Sequence, residues 1–315
     1  MKAPIPVRIG TRGSPLALYQ AQLIAREIER ASDGALASEI VAFTTKGDQL
    51  TSERLINSGG KGLFTREIDR AVDEGEVDIG VHSLKDVPSI LPDGQDLLAY
   101  PERVDPRDGF LTTNGVRCLQ DLPHGAVLGT ASLRRESQAL SLRPDLKVVP
   151  FRGRVETRIE KLKRGEADAT FLAMAGLKRL GLDDLAQPVP QNDLLPAAGQ
   201  GIIAVAARAD KLPQDIQSVL TAIDHPATRA MATAERAFLA ELDGSCRTAM
   251  AAQLTSFGGT WHLRGEVLTP DGQTKWSARA EALLSTPLQD LALLGTQLAQ
   301  NIRDQAGGDL PVFAD

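Results

Sequence analysis

Two stretches of this chain are written to one plan, and that repetition constrains the fold more than any single motif does. "GKGLFTREIDRAVDEGEVDIGVHSLK" and "FRGRVETRIEKLKRGEADATFLAMAGLK" each run from a basic glycine loop through a helix into Gly-Glu-x-Asp and an apolar strand. The helix faces correspond as well: Phe64, Ile68 and Ala71 in one, Val155, Ile159 and Leu162 in the other, at i, i+4 and i+7. A supersecondary unit used twice predicts two similar α/β lobes facing each other across a cleft.

The flanking sequence agrees with that plan. In "PVRIGTRGSPLALYQAQLIAREIE", Val7–Thr11 reads as a strand, Gly13 as a turn, Ser14 as a helix cap and Pro15 as the first helical residue. Ala17, Ala21, Ile24 and Ile28 then recur at helical spacing. Further strands are expected in "EIVAFTTKGD" and "VDIGVHS", an alternation that belongs to an α/β domain with a largely parallel sheet. Stretches 99–109 and 188–201, rich in Pro, Gly and Asp, read as joints. After residue 221 a helix leads into three short alternating strands and a closing helix, a small α+β domain with Cys246 on its first helix-to-strand turn. The expected division is 1–101 with 201–220 as lobe 1, 102–200 as lobe 2, and 221–315 as the third domain.

Composition narrows the function classes. At 42% hydrophobic and 24% charged residues the chain is an ordinary soluble globular protein, and with 4% aromatics it lacks stacking platforms for single-stranded nucleic acid. "MKAPIPVRIG" holds no apolar run of signal-peptide length and no later segment could span a bilayer, so a cytoplasmic protein is expected. Two cysteines there predict separate thiols. Four histidines without metal-ligand spacing predict no zinc site. Net charge is −6, yet Arg134–Arg164 carries ten basic residues against four acidic ones. A basic region that favours arginine suits an anionic ligand, because the guanidinium fork matches carboxylate and phosphate.

Several loops carry candidate chemistry. "TRGSPLAL" offers Arg12, Ser14 and the free amides of a helix start to an anion, though a plain capped helix would look the same. "SGGKGLFT" holds Lys61 but lacks the spacing of a nucleotide-binding phosphate loop. "VHSLKDVPS" sets Lys85 and Asp86 just after a strand, a place for an acid/base or a cation-stabilising carboxylate. "LGTASLRRESQAL" puts Arg134 and Arg135 in the first turn of a helix, where they oppose its dipole unless an anion binds. Arg152, Arg158 and Arg179 extend the basic wall, and "PAAGQGIIAV" contributes Gln200 and small residues that allow close backbone approach. Cys118, among Val116, Leu119 and Leu122, reads as a buried packing residue. Cys246, beside Arg247, reads equally well as a reactive thiolate or a structural cysteine.

Taken together, "IGTRGSPLAL", "GGKGLFTREI", "GVHSLKDVP", "RVDPRDGF", "GTASLRR", "RGRVETR", "FLAMAGLKRLG" and "LPAAGQG" closely resemble the hydroxymethylbilane synthase (porphobilinogen deaminase) family, in order and over most of the chain. The resemblance implies two type II periplasmic-binding-protein-like lobes with mixed sheets and a smaller α+β domain. It implies a dipyrromethane cofactor joined to Cys246 by a thioether. It also implies a transferase of porphyrin, haem and tetrapyrrole biosynthesis that deaminates four porphobilinogen molecules, condenses them head to tail onto that cofactor, and releases linear hydroxymethylbilane by hydrolysis. On the same ground Asp86 and Lys85 are the expected catalytic residues, and Lys61, Lys85, Asp86, Thr130, Ser132, Arg134 and Arg135 the expected cofactor contacts. Arg12, Ser14, Arg152, Arg158, Arg179 and Gln200 are the expected substrate contacts. No metal, nucleic acid or membrane is implied, and a monomer is expected. The chain departs from the family pattern at "GSCRTAM", at Arg154 and Glu156 in "RGRVETR", and at Ala131. A non-catalytic two-lobed binding protein for a small polycarboxylate is the alternative; it leaves Cys246 unexplained.

Overall fold

The computed structural model describes residues 4–49, 62–242 and 249–310. They divide into two compact units: one is built from residues 4–49 and 62–104 together with 201–229, the other from 105–200 and the described residues from 230 onward.

In the first unit, β1 (Ile5–Arg12), α1 (Pro15–Ala31) and β2 (Leu36–Phe43) are followed by the single turn α2 (Lys46–Gln49), then α3 (Arg66–Asp73), β3 (Ile79–Ser83) and β4 (Asp96–Ala99). The chain returns to this unit as β10 (Ile203–Ala207) and α7 (Gln214–Ile223). The sheet order is β2-β1-β3-β10-β4. β1 runs parallel to β2 and β3, and β10 runs antiparallel to β3 and β4. Val7, Ile9, Val81, Val205, Ile24, Ile28, Ile216 and Leu220 form the core between this sheet and the helices α1 and α7. The buried residues of α1 are Gln20 and the four spaced for burial in the sequence, Ala17, Ala21, Ile24 and Ile28.

In the second unit come β5 (Asp108–Thr112), β6 (Val127–Gly129), α4 (Leu133–Leu142), β7 (Lys147–Val149), α5 (Val155–Lys163), β8 (Ala169–Ala173), α6 (Met174–Arg179) and β9 (Gln187–Pro188). Their sheet order is β7-β6-β8-β5-β9, with β7, β6 and β8 parallel and β5 antiparallel. The fourth strand is the inverted one in both sheets, so the lobes share one plan, with the mixed pairing expected of type II lobes. Phe110 and Phe171, with centroids 5.7 Å apart, centre the core on one side of this sheet. Phe151, Leu162 and Leu177 fill the other.

Helix α8 (Pro226–Glu241), the antiparallel strands β11 (Met250–Phe257), β12 (Thr260–Leu268) and β13 (Lys275–Leu283), and α9 (Leu288–Ala306) complete the chain as the smaller α+β part. Gly265 permits its packing, since a Cβ there would lie 2.5 Å from the Phe238 ring. Gly295 does the same for α9, where a Cβ would lie 2.2 Å from the Ala234 carbonyl oxygen of α8. Among the described residues no helix is long and apolar enough to cross a membrane.

The repeated Gly-Glu-x-Asp has a structural cause. Gly75 (φ +73°) and Gly165 (φ +76°) end α3 and α5 in the left-handed conformation that glycine adopts without strain. The Glu76 and Glu166 amides then donate back to the Ala71 and Lys161 carbonyls at 2.9 and 3.1 Å. The aspartates staple the next strand to the sheet: the Arg8 amide donates to Asp78 Oδ2 at 2.7 Å, and the Val127 amide to Asp168 Oδ2 at 2.7 Å. The backbone replies in both lobes, Asp78 N to Arg8 O at 2.9 Å and Asp168 N to Val127 O at 2.8 Å. Four residues thus stop a helix, reverse the chain and register a parallel strand, twice.

The structure also corrects the sequence reading. Phe64 precedes α3, and its ring lies under the Arg12 guanidinium, 4.5 Å from centroid to carbon. Cys118 is half-buried rather than a core residue, and its Sγ donates to Asp121 Oδ2 at 3.0 Å, an acceptor that pushes the thiol pKa up. The short strands β4, β5, β7, β9 and β10 were not distinguished by any periodic pattern.

The two staples differ in environment, which gives a test. Asp78 also takes the Arg8 guanidinium at 2.7 Å, whereas Asp168 is exposed. Asp78→Ala is expected to cost about 1–3 kcal/mol, the range for an unmade hydrogen bond at a partly buried group, and Asp168→Ala clearly less. Denaturant unfolding of the two variants measures the difference.

Candidate active site

Parallel strands end together, so the loops that follow them gather at one edge of each sheet. In the first unit that edge carries Arg12 from β1, Asp48 from the turn after β2, and Lys85 and Asp86 from the 3-10 turn after β3. Leu84 and Val87 are buried at 2% and 7% exposure and act as apolar pegs, so the two charged residues between them face outward. The Leu84 amide, donating to the Ile202 carbonyl at 2.9 Å, fixes the turn from behind. Ser83 and Gln20 exchange hydrogen bonds at 2.9 and 3.2 Å below it.

Arg12 is already engaged. Its Nε donates to Asp48 Oδ2 at 3.2 Å, its Nη2 pairs with Asp48 Oδ1, and its Nη1 lies 3.8 Å from Asp86 Oδ2. Burial disfavours its charge most, but the two carboxylates outweigh that and raise its pKa above the usual arginine range. Asp48, which the sequence reading missed, is held in turn by the Thr45 hydroxyl at 2.7 Å. Burial works against its ionisation, and the bonds from Arg12 and Thr45 overcome that and lower its pKa. Among the described residues Arg12 is the one partner of the Asp86 carboxylate, and 3.8 Å is too long for a hydrogen bond. That leaves the Asp86 oxygens open to accept N–H groups from a ligand. Ser14 caps α1, accepting the Ala17 amide at 3.3 Å. Lys61 lies outside the described residues.

In the second unit the same edge carries Thr130, Ser132, Arg134 and Arg135 after β6, Arg152 and Arg158 after β7, and Arg179 after β8. The antiparallel β5 begins there, so its first residue, Asp108, paired with Ala173, joins the group. Asp108 is fully buried and draws three predicted residues onto itself. Arg135 donates to its Oδ1 through Nε at 3.0 Å and Nη2 at 2.7 Å, Arg134 Nη1 lies 2.8 Å from Oδ2, and Gln200 Nε2 reaches Oδ1 at 3.1 Å. Arg135 Nη1 is spent on the Phe171 carbonyl at 2.8 Å, and Arg134 Nη1 also meets Leu195 O at 2.8 Å. Burial would push the Asp108 carboxyl up, but Arg134 and Arg135 hold it far below the usual carboxylate range. The anion that two arginines in a helix's first turn require is therefore supplied by the fold itself. The sequence offered a faint signal, a carboxylate opening the apolar run "DGFLT".

Much of the basic wall is engaged within the fold. Arg134 and Arg135 serve Asp108, Arg143 forks onto Asp145 while donating to the Leu119 and Leu122 carbonyls, and Arg164 pairs with Glu166. Arg152, Arg158 and Arg179 remain half-buried at the sheet edge, with Arg158 Nε bonded to Gly153 O at 2.8 Å. Gly153 has φ +127°, a conformation that side chains rarely adopt, so "RGR" turns where other sequences could not. Gln200, expected at the substrate, is buried against Asp108 and the Pro106 carbonyl.

The second unit's edge carries hydroxyl and guanidinium donors suited to carboxylates, and the first unit's edge carries one open carboxylate. Residues 7–215 match the family described as porphobilinogen deaminase, dipyromethane cofactor binding domain, and residues 230–304 match porphobilinogen deaminase, C-terminal domain. The chain is 45% identical over 301 residues to a porphobilinogen deaminase of Nitrobacter hamburgensis, covering 95% of this chain and 93% of that one. It is 46% identical over 307 residues to the enzyme of that name from Paracoccus denitrificans, covering 96% of each. A TRAP periplasmic solute binding protein from Desulfovibrio salexigens is similar in structure with a TM-score of 0.44, at 16% identity over 70% of this chain and 73% of that one.

The protein is thus a transferase of the α/β class. The chain belongs to the porphobilinogen deaminase family. The residues present fit the family's dipyrromethane. Ser132 occupies the cap position of α4 without capping it, and among the described residues Arg134 Nε and Nη2 have no hydrogen-bond partner. Hydroxyl and guanidinium suit acetate and propionate groups, and the open Asp86 suits pyrrole N–H. Thr130 is bonded within its own turn, accepting the Ser132 amide at 3.1 Å. Cys246 lies outside the described residues.

Arg135→Ala is expected to cost about 3–5 kcal/mol, because it strands a buried carboxylate. The sign in pH follows. The lowered pKa means that Asp108 stabilises the fold above its unfolded value and ceases to do so as pH falls through its native one. Losing Arg135 raises that native value, so acid unfolding, followed by far-UV circular dichroism, should begin at higher pH in the variant.

Proposed function

We propose that this protein is a hydroxymethylbilane synthase whose dipyrromethane is tethered to Cys246 and whose catalytic carboxylate is Asp86. It takes porphobilinogen, removes ammonia, and joins four units head to tail before hydrolysis frees the linear product. The three-part division, lobe 1 (1–101 with 201–220), lobe 2 (102–200) and the 221–315 domain, belongs to the same proposal. So do a cytoplasmic location, which the free thiol of Cys118 favours, and a monomeric state.

The reading rests on the outward-facing, hydrogen-bond-deficient Asp86 in a chain of this family. When bound, the dipyrromethane supplies the pyrrole carbon to which the first substrate is joined. Loss of ammonia from porphobilinogen leaves positive charge shared with the pyrrole nitrogen. A fixed carboxylate lowers the barrier by meeting that charge and by accepting the N–H. Arg12, 3.8 Å away, lies beside Asp86 without occupying it in a hydrogen bond. Lys85, the exposed neighbour, and Lys61 add positive charge for carboxylates. Arg134, Ser132 and the first-turn amides of α4 hold cofactor carboxylates, with Arg135, Thr130 and Gln200 supporting them. Arg152, Arg158 and Arg179 meet the substrate and the growing chain, each unit of which brings two further carboxylates. Ser14 and Arg12 support the first lobe's edge.

Two variants test this reading. Asp86→Asn should lower turnover by about a hundred- to a thousandfold in protein shown by intact mass to be loaded, and near-normal turnover would remove Asp86 from that role. Cys246→Ala should give folded, inactive protein of unmodified mass while Cys118→Ala stays loaded and active. Wild-type protein with no added mass would favour the polycarboxylate-binding alternative.

A further inference from the structure

Glu266, on β12, is a buried carboxylate with no place in the chemistry above. It is 7% exposed, and among the described residues no cation bonds it directly. Charges reach it from three elements: Arg134 on α4, Lys275 on β13, and Arg264 on β12 itself, which stands opposite Arg279 of β13. Its other cross-strand partners, Ala251 and Ser277, are uncharged.

Packing sets Glu266 toward Arg134. Helix α4 lies on the β12–β13 turn, where the Ser137 hydroxyl donates to Pro270 O at 3.1 Å and a Cβ on Gly272 would fall 2.3 Å from Ser137 O. Arg134 is one turn before Ser137 on the same helix face. Glu266 and Leu268 share a sheet face, two residues apart, on the strand that leads into that turn. The charge count gives this placement a purpose. Arg134 and Arg135 against Asp108 leave one positive charge, and an ionised Glu266 cancels it.

We propose that Glu266 is a built-in counter-carboxylate for Arg134, competing with the carboxylates of a bound dipyrromethane and so limiting how tightly they are held. This rests on the reading that Arg134 holds the cofactor. Burial raises the Glu266 pKa, and Lys275, Arg134 and Arg264 only partly offset it. The native fold therefore prefers Glu266 protonated, an advantage present at acid pH and lost as pH rises through the native value. Competition is strongest where Glu266 is ionised. Glu266→Gln keeps the shape and removes the charge at every pH.

The test is a melting-temperature cycle on four proteins: wild type, Glu266→Gln, Cys246→Ala, and the double variant, at pH 5 and pH 8, with loading checked by intact mass. The gap between loaded and unloaded protein is the stabilisation that the cofactor supplies. At pH 8 that gap should widen by about 2–4 °C in the Gln background, the span for a coupling near 1 kcal/mol. At pH 5 it should widen less. Glu266→Asp, which keeps the charge, should leave the wild-type gap nearly unchanged. A gap equal in both backgrounds at pH 8, a narrower one, or failure of Glu266→Gln to fold would overturn the proposal. Wild-type protein carrying no added mass would instead remove the cofactor reading, and this proposal with it.

Discussion

A buried carboxylate between two guanidinium groups holds the second lobe's ligand edge together. Asp108 opens the inverted strand β5, at the point where that strand meets the carboxyl ends of its neighbours. An uncompensated carboxylate there would be expelled or protonated. Arg134, Arg135 and Gln200 all converge on it from two parts of the fold: the first turn of α4 supplies the arginines, the loop before β10 the glutamine. Replacing the cluster by apolar residues could stabilise the protein, since buried ion pairs often do no better than break even. The donors that the cluster leaves over belong to Arg134.

The first lobe pairs its arginine with half-buried partners. Arg12 spans Asp48 and Asp86 over the Phe64 ring, so one side of the guanidinium is bonded to Asp48 and the other only leans toward Asp86. Below the same strand His82 is buried neutral, its pKa driven to about 4 chiefly by desolvation, with Asp69 Oδ1 3.8 Å from its Nε2. Asp69 is itself raised to about 6 by burial.

Much of this was legible in the sequence because local physics dictated it. The doubled Gly-Glu-x-Asp announced two like lobes, and the glycine stops and aspartate staples show why those residue types are needed. Ser14 and Pro15 started a helix where capping rules place one, and Asp86 followed its strand. Other features depended on long-range packing and left little trace. The strands β5 and β10 each lie in the sheet inverted, beside strands distant in sequence, so no local period marked them. Asp108 and Asp48 look like ordinary loop acids until the arginines arrive. The basic wall looked uniform as a count, yet Arg134, Arg135, Arg143 and Arg164 are bonded to aspartates, a glutamate and carbonyls of the fold, which charge density in sequence does not reveal.

The central claim is a division of labour between neighbouring arginines, Arg135 anchoring Asp108 and Arg134 reaching the ligand. A crystal structure of the loaded enzyme tests it most directly. The account predicts that Arg135 keeps its two bonds to Asp108 and its bond to the Phe171 carbonyl, while Arg134 turns Nε or Nη2 onto a cofactor carboxylate. Arg135 found on the cofactor, with Asp108 left to Arg134 alone, would contradict it.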